Sequence, residues 1–255
     1  MKRYGLIGFP LSHSFSKEYF TDKFLKENID AAYELFPLSN IDQFTDLIPS
    51  QPDLCGLNVT IPYKQSVIPF LDALDFQAKA IGAVNVIRIE HKADGSKYLK
   101  GYNSDVFGFR ESIRPFIQQM KKQGDTKLSA LVLGSGGASK AVVYGLEQLG
   151  ISTHLVSRTP ADNQFTYSQL KETHYQSNHI IVNTTPLGMH PNVDACPDLD
   201  YSQLGQQHLL FDLVYNPQTT AFLKHGEAQG CMLKNGLEML HLQADGAWKI
   251  WNEPQ

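Results

Sequence analysis

The chain has 255 residues, of which 42% are hydrophobic and 19% are charged, a composition typical of a globular protein with one large domain or two smaller ones. Its 22 basic and 26 acidic side chains give a formal net charge of −4 without a long run of either sign, which argues against a nucleic-acid partner and favours a small-molecule substrate. The cysteines Cys55, Cys196 and Cys231 are isolated and lack metal-ligand spacing, so we expect no disulfide, no metal site and a cytoplasmic protein.

Short β-rich runs alternate with longer helical periods, a pattern that predicts βα units with parallel sheets covered by helices. The predicted strands are 4–8, 32–36, 54–59, 83–89, 129–133, 153–157, 179–183 and 208–214, and the predicted helices are 16–28, 106–122, 139–149 and 235–251. Residues 101–105 are predicted to form a loop. No segment approaches the roughly 18 apolar residues of a membrane span, and the apolar stretch after Met1 is too short and broken for a signal peptide.

A polar break at 123–127 and a change of pattern beyond it predict two α/β domains. We expect an N-terminal open α/β domain over 1–105, a nucleotide-binding domain over 106–235, and a C-terminal helical segment over 236–255 that returns to the first domain. Trp248 and Trp251 near the end of that segment are expected to pack on the first domain, with a subunit contact as the alternative.

A glycine-rich turn lies between a predicted strand and a predicted helix, the context that a dinucleotide-binding fingerprint requires. Gly134 permits a tight turn, Gly136 lets the backbone approach a pyrophosphate, and the helix that begins near Ala138 offers free N–H groups. Ser135 and Gly137 complete the predicted phosphate-binding turn. The alternative is a glycine-rich turn without a ligand.

The residues that end the next strand predict which dinucleotide is bound. Arg158, flanked by the hydroxyls of Ser157 and Thr159, offers a charge-assisted fork to a 2′-phosphate, which favours NADP over NAD. A solvated arginine is the alternative. Thr185, in the segment 182–189 after a further strand, is expected to line the cofactor, although the same segment is also a plain strand-to-turn signal.

Polar side chains also cluster at strand ends in the N-terminal half. The hydroxyls of Ser14 and Ser16 lie beside a predicted helix N-terminus and suit a carboxylate, unless Ser16 is simply the N-cap and Ser14 a turn residue. Asn58, Thr60 and Lys64 leave a predicted strand, where sites in open α/β sheets form. Asn85 and Asp105 follow in the same half of the chain, and Asp105 could alternatively cap the helix from Val106.

Together these motifs resemble the shikimate dehydrogenase family over nearly the whole chain. The matching pieces are Ser14-x-Ser16, 58–64, 82–85, 103–105, 134–138, 157–159, 183–189, 212–217 and 235–243. The resemblance implies an open α/β substrate domain, a Rossmann-type NADP domain, and NADPH-dependent reduction of 3-dehydroshikimate to shikimate for aromatic amino acid biosynthesis.

The resemblance also assigns roles to individual residues. It implies that Lys64 and Asp105 lie at the reacting carbon. The residues implied to hold the carboxylate and ring hydroxyls are Ser14, Ser16, Asn58, Thr60, Asn85, Tyr215 and Gln243. The residues implied to contact NADP are those of the glycine-rich turn and of 157–159, with Thr185, Leu213 and Gly236.

Elementary chemistry leads to the same pair of catalytic residues. Hydride transfer to a ketone leaves negative charge on its oxygen, so the site needs a proton donor there; Lys64 supplies one, and Asp105 would orient it. Which of the two delivers the proton stays open. The alternatives to the family activity are a quinate/shikimate dehydrogenase with relaxed cofactor choice and a non-catalytic NADP-binding sensor. No obligate protein partner and no membrane association are predicted.

Overall fold

A computed structural model describes residues 1–11, 14–124 and 127–253 of the chain. It divides into two compact units: unit 1 comprises Met1–Ser104 with Ala244–Gln255, and unit 2 comprises Asp105–Gln243. The prediction placed these divisions at 105/106 and 235/236. In the described part of the chain, no helix is long and apolar enough to cross a membrane.

Unit 1 contains a six-stranded sheet in the order β2-β1-β3-β5-β6-β4. The strands are β1 (Lys2–Gly8), β2 (Ala31–Pro37), β3 (Leu54–Val59), β4 (Ala73–Leu74), β5 (Val86–His91) and β6 (Lys97–Tyr102). The helices are α1 (Phe15–Lys26), α2 (Phe44–Ser50) and α3 (Phe76–Ile81). The first three strands in this order run parallel, as predicted.

Two expectations for unit 1 are wrong. Strand β5 runs antiparallel to both β3 and β6. Strands β5 and β6 are joined by a short turn, in which Lys92 N–H donates to the Ser96 carbonyl at 2.8 Å. Such a short connection permits only antiparallel pairing between the two strands that it joins. Residues 101 and 102 belong to β6 and not to a loop. Close packing favours glycine at position 101 of the strand, because a Cβ there would meet the side chains of Leu71, Leu74 and Val84 within 3 Å.

Unit 2 contains a five-stranded, fully parallel sheet in the order β11-β10-β9-β7-β8. Its strands are β7 (Ser129–Leu133), β8 (Ser152–Val156), β9 (Ile180–Asn183), β10 (Leu209–Asp212) and β11 (Met232–Lys234). Its helices are α4 (Asp105–Lys122), α5 (Gly137–Gln148), α6 (Glu172–Ser177) and α7 (Ala221–Ala228). Val132 of β7 belongs to one buried apolar cluster, and the next residue, Leu133, belongs to another. Because successive residues of a strand point to opposite faces, both faces of the sheet are covered.

The last helix, α8 (Leu237–Asn252), begins in unit 2 and ends in unit 1. Its first turns belong to unit 2 because Met239 lies in the core cluster there. A Cβ on Gly108 of α4 would meet the Met239 carbonyl at 2.6 Å, so the two helices pack backbone to backbone. From Ala244 onward α8 covers the sheet of unit 1, where Trp251 packs among Tyr4 and Phe20.

Candidate functional site

One edge of the unit 1 sheet collects the chain segments in which substrate residues are predicted. Strand β1 pairs in parallel with β3, Ile7 opposite Val59, so both strands end at this edge. Strand β5 begins there and β6 ends there, because Asn58 pairs with Val86 and Val86 with Tyr102. The segments after β1, β3 and β6 and the segment before β5 therefore lie side by side.

Ser14 and Ser16 lie at the start of α1, which follows β1. Ser14 is the N-cap: its Oγ accepts a hydrogen bond from the backbone N–H of Lys17 at 3.3 Å. The alternative that assigned the cap to Ser16 is therefore wrong. Ser16 lies in the first turn of α1 and is half-buried.

The turn after β3 carries Thr60 and Lys64. Thr60 N–H donates to the Ile7 carbonyl at 2.9 Å, and the Thr60 carbonyl accepts from Tyr63 N–H at 2.9 Å. The carbonyl of Lys64 accepts from Val84 N–H at 2.7 Å, which ties this turn to the segment before β5. The Lys64 side chain is half-buried.

Asn85 joins the remaining two segments at the edge. Its Oδ1 accepts from Ser104 N–H at 2.7 Å, and its Nδ2 donates to Ser104 Oγ at 3.1 Å. Asn103 Nδ2 donates to the Ala83 carbonyl at 2.9 Å. Unit 1 thus brings the Lys64 turn, Asn85 and the residues that precede Asp105 into one hydrogen-bonded group.

The buried tyrosine Tyr33 also belongs to this edge, although the sequence reasoning did not select it. Its hydroxyl donates to Asn58 Oδ1 at 2.7 Å. Burial raises the pKa of the Tyr33 phenol far above its ordinary value. Tyrosine in a strand reads as core packing, so the sequence carried no signal that set Tyr33 apart.

Two predicted substrate residues of unit 2 lie on neighbouring helices. Asp105 is 3% exposed and begins α4 itself, one residue before the predicted start. Gly108, one turn later, approaches α8 so closely that its Cβ would lie 3.2 Å from the Cβ of Gln243. This close packing places Gln243 beside the first turns of α4. Tyr215, after β10, is 36% exposed.

The glycine-rich turn of unit 2 follows β7 and leads into α5. Gly134 has φ +110°, a left-handed conformation that favours glycine, and a Cβ there would meet Thr184 Oγ1 at 2.8 Å. Gly136 is the N-cap of α5, and no atom lies within 4 Å of the position its Cβ would occupy. The helix begins at Gly137, so Ala138 lies in its first turn. The space beside the Gly136 backbone is therefore open.

The turn after β8 lies next to the glycine-rich turn. The hydroxyls of Ser135 and Ser157 are 3.4 Å apart, and Ser157 Oγ accepts from Thr159 N–H at 3.3 Å. The Arg158 side chain is exposed and forms no ion pair within the described residues. Its guanidinium lies near enough to Tyr167 to lower the pKa of that phenol, against the larger, raising effect of burial.

A buried carboxylate holds the next two loops of unit 2 together. Asp212 accepts from Asn183 Nδ2 at 2.9 Å, from Val214 N–H at 3.0 Å and from the Thr220 hydroxyl at 2.6 Å. Asn183 Oδ1 in turn accepts from the Thr185 hydroxyl at 2.6 Å. Burial raises the pKa of Asp212 to about 6, and these hydrogen bonds oppose the rise.

Leu213 and Gly236 meet just beyond this carboxylate. A Cβ on Gly236 would lie 2.1 Å from the Leu213 carbonyl, so only glycine fits there. The groups predicted to contact a dinucleotide thus follow the five strands β7 to β11 at the carboxyl edge of one parallel sheet, where such ligands bind. An open helix N-terminus and an exposed arginine fit the phosphates of NADP.

Comparison with known proteins follows the same division of the chain. The family model described as the shikimate dehydrogenase substrate binding domain matches residues 6–87. A protein named shikimate dehydrogenase (NADP(+)) from Clostridium beijerinckii is 38% identical over 264 residues, which cover 100% of this chain and 93% of that protein.

Solved structures show the same similarity. The crystal structure of shikimate dehydrogenase from Aquifex aeolicus is 32% identical with a TM-score of 0.85, covering 100% of this chain and 93% of that one. The shikimate 5-dehydrogenase from Thermus thermophilus, solved in complex with NADP(H) and shikimate, is 27% identical with a TM-score of 0.83, covering 100% and 94%.

Proposed function

Because this chain belongs to the shikimate dehydrogenase family, we propose that it catalyses the reversible NADPH-dependent reduction of 3-dehydroshikimate to shikimate, in the cytoplasm. The observation that carries the proposal is the hydrogen-bonded group at the unit 1 sheet edge. There the Lys64 turn and the Asn103–Ser104 segment both bond to residues 83–85. Asp105 follows Ser104 directly in the chain.

Lys64 and Asp105 are the proposed catalytic residues. NADPH, when bound, supplies the hydride that adds to the ketone carbon. The ammonium of Lys64 hydrogen-bonds the ketone oxygen and stabilises the charge that develops on it. The carboxylate of Asp105 orients the ammonium. The proton that reaches the oxygen comes from one of these two groups. Comparing a Lys64 variant with an Asp105 variant would show which of them donates it.

Neutral groups hold the rest of the substrate. Ser14 uses its oxygen lone pair as the α1 cap, which leaves its O–H free to donate to a carboxylate at the helix N-terminus. The remaining proposed contacts with the carboxylate and ring hydroxyls are Ser16, Asn58, Thr60, Asn85, Tyr215 and Gln243. A substrate analogue that lacked a hydroxyl would leave such buried groups unpaired and would be rejected strongly.

The NADP-binding residues are those of the unit 2 sheet edge. The open backbone at Gly136 and the N-terminus of α5 would bind the pyrophosphate. Arg158, with Ser157 and Thr159, would bind the 2′-phosphate through its exposed guanidinium. Thr185, Leu213 and Gly236 would line the remainder of the dinucleotide.

The test compares kcat/KM for shikimate and for quinate, each with NADP⁺ and with NAD⁺. We expect shikimate with NADP⁺ to exceed every other combination. A higher value with quinate would assign the chain to the quinate alternative, and equal values with the two cofactors would remove the role given to Arg158. Failure to reduce NADP⁺ with either cyclitol, despite NADP⁺ binding, would favour the sensor alternative.

A further inference from the structure

A chain of hydrogen bonds runs through the interior of unit 1 beneath two proposed substrate residues. Tyr33 in β2 begins this chain and is 5% exposed, whereas Asn58 is half-buried. Tyr33 Oη donates to Asn58 Oδ1 at 2.7 Å. Asn58 Nδ2 then donates to the Asn85 carbonyl at 3.4 Å.

The direction of each bond in this chain is fixed by its chemistry. The Asn85 carbonyl can only accept, so the Asn58 amide must turn its Nδ2 toward it and its Oδ1 toward Tyr33. Tyr33 must then give its single proton to Asn58 Oδ1.

This order fixes what Asn58 presents to a ligand. The residue keeps one amide N–H that is not used in the chain, in a fixed orientation. Without the phenol, the Asn58 amide would lose the donor that holds its Oδ1. The phenol itself is too deeply buried to touch a ligand of the sheet edge.

We propose that Tyr33 is a positioning residue for the cyclitol substrate, because its hydroxyl orients the amide of Asn58. The proposal rests on the proposed function and deepens it, since it adds a residue that determines substrate affinity from beneath the site. Tyr33 acts on binding and leaves the cofactor and the hydride step unaffected.

Tyr33→Phe tests the proposal because it removes only the hydroxyl. The ring that stacks on Phe20 at a 4.8 Å centroid distance and 14° stays in place, so the variant keeps its packing. Relative to wild type, we expect KM for shikimate to rise roughly 10-fold, in line with the loss of one hydrogen bond on a binding group. We expect kcat to change less than about threefold and KM for NADP⁺ less than about twofold.

A matched control separates positioning from stability. Tyr201 in unit 2 likewise donates its hydroxyl, to the Pro197 carbonyl at 2.8 Å, and Tyr201→Phe should leave KM for shikimate at the wild-type value. In an Asn58→Ala background, Tyr33→Phe should lose most of its effect on KM, because the two residues act through one chain.

Each result either supports or overturns the positioning role of Tyr33. A lower melting temperature with unchanged KM for shikimate in Tyr33→Phe would overturn the proposal, as would full additivity with Asn58→Ala. Wild-type enzyme that does not oxidise shikimate would instead remove the proposed function, and this inference with it. A wild type that is active beside an unaffected Tyr33→Phe variant removes the inference alone.

Discussion

The chemistry of the proposed reaction depends on one basic side chain in the turn after β3. The backbone on both sides of Lys64 is held, because its own carbonyl accepts from Val84 N–H and the Thr60 carbonyl accepts from Tyr63 N–H. A turn fixed in this way limits the positions of the ammonium, and a fixed donor needs little reorganisation when charge develops on the ketone oxygen.

Lys64→Ala should lower kcat by roughly 10²–10⁴-fold and change the binding of shikimate less, because the group acts on charge that develops in the transition state. Steady-state kinetics with shikimate and NADP⁺ measure this split. Lys92→Ala is the matched control, since Lys92 is an exposed lysine of the same unit outside the proposed site. Turnover of the Lys64 variant at the wild-type rate would contradict its catalytic role.

At the scale of elements, two glycines lie at the start of α5, and only one of them is required by the fold. Gly134 is required by the fold, because it adopts φ +110° and a Cβ would press on Thr184. Gly136 has space for a Cβ and an ordinary φ of −81°. The fold alone therefore does not explain a glycine at 136, whereas the close approach of a pyrophosphate does.

Gly136→Ala should raise KM for NADP⁺ by about 10-fold or more while the melting temperature changes little, because the added methyl group would occupy the space proposed for the pyrophosphate. Gly134→Ala should instead lower the melting temperature, since the strain lies in the protein itself. Kinetics and thermal melting of both variants test the pair. A Gly136→Ala enzyme with wild-type KM for NADP⁺ would place the cofactor elsewhere.

The hydrogen bonds of Asp212 connect the loops after β9 and β10, and its titration should appear in the stability of unit 2. Its folded pKa of about 6 lies above the ordinary value for aspartate near 3.9. Between these values the unfolded state loses the proton while the folded state keeps it. The contribution of Asp212 to the free energy of unfolding therefore falls as the pH rises from about 4 to about 6.

Asp212→Asn removes this titration and retains an amide oxygen that can accept from Asn183 and Val214. We expect the difference in unfolding free energy, wild type minus variant, to fall by at most about 3 kcal/mol between pH 4 and pH 7. Urea unfolding at a series of pH values measures both proteins, and the other titrating groups cancel in the difference. Parallel pH profiles would show that Asp212 titrates with an ordinary pKa.

The sequence predicted these elements unevenly, for local reasons. The strand over 129–133 and the turn that follows it were predicted correctly because a buried parallel strand and a glycine fingerprint are both short-range patterns. Strand β6 was missed because Gly101 and Tyr102 read as a loop, whereas the glycine is there to allow close packing. Tyr33 was missed because its hydrogen bond to Asn58 joins residues 25 positions apart.

On the scale of the whole chain, the end of α8 returns to the sheet formed by the N-terminal residues. Sequence periodicity predicted this helix but not the residue at which it leaves unit 2, because that depends on the packing of Met239 in the unit 2 core. Trp251, which the sequence was expected to place on the first domain, is 7% exposed and stacks on Tyr4 with ring centroids 4.7 Å apart.

Because Trp251 packs on its sheet, the stability of unit 1 depends on the last turn of α8. Its Nε1–H donates to the Ile87 carbonyl at 3.0 Å, and Gly56 lacks a side chain where a Cβ would lie 2.3 Å from that nitrogen. Trp251→Ala would open a cavity over the sheet and leave the carbonyl without this donor. The expected loss is about 3–5 kcal/mol of the stability of unit 1.

Hydrogen exchange locates this loss, because each unit has its own core and sheet. Amides of β1, β3 and β5 should exchange faster in Trp251→Ala, while those of β7 and β9 keep their wild-type rates. Trp248→Ala is the matched control: Trp248 is half-buried and contacts Tyr4 edge-on at 5.5 Å, so its removal should have a smaller effect. Equal acceleration of the β7 and β9 amides would contradict the assignment of this loss to unit 1.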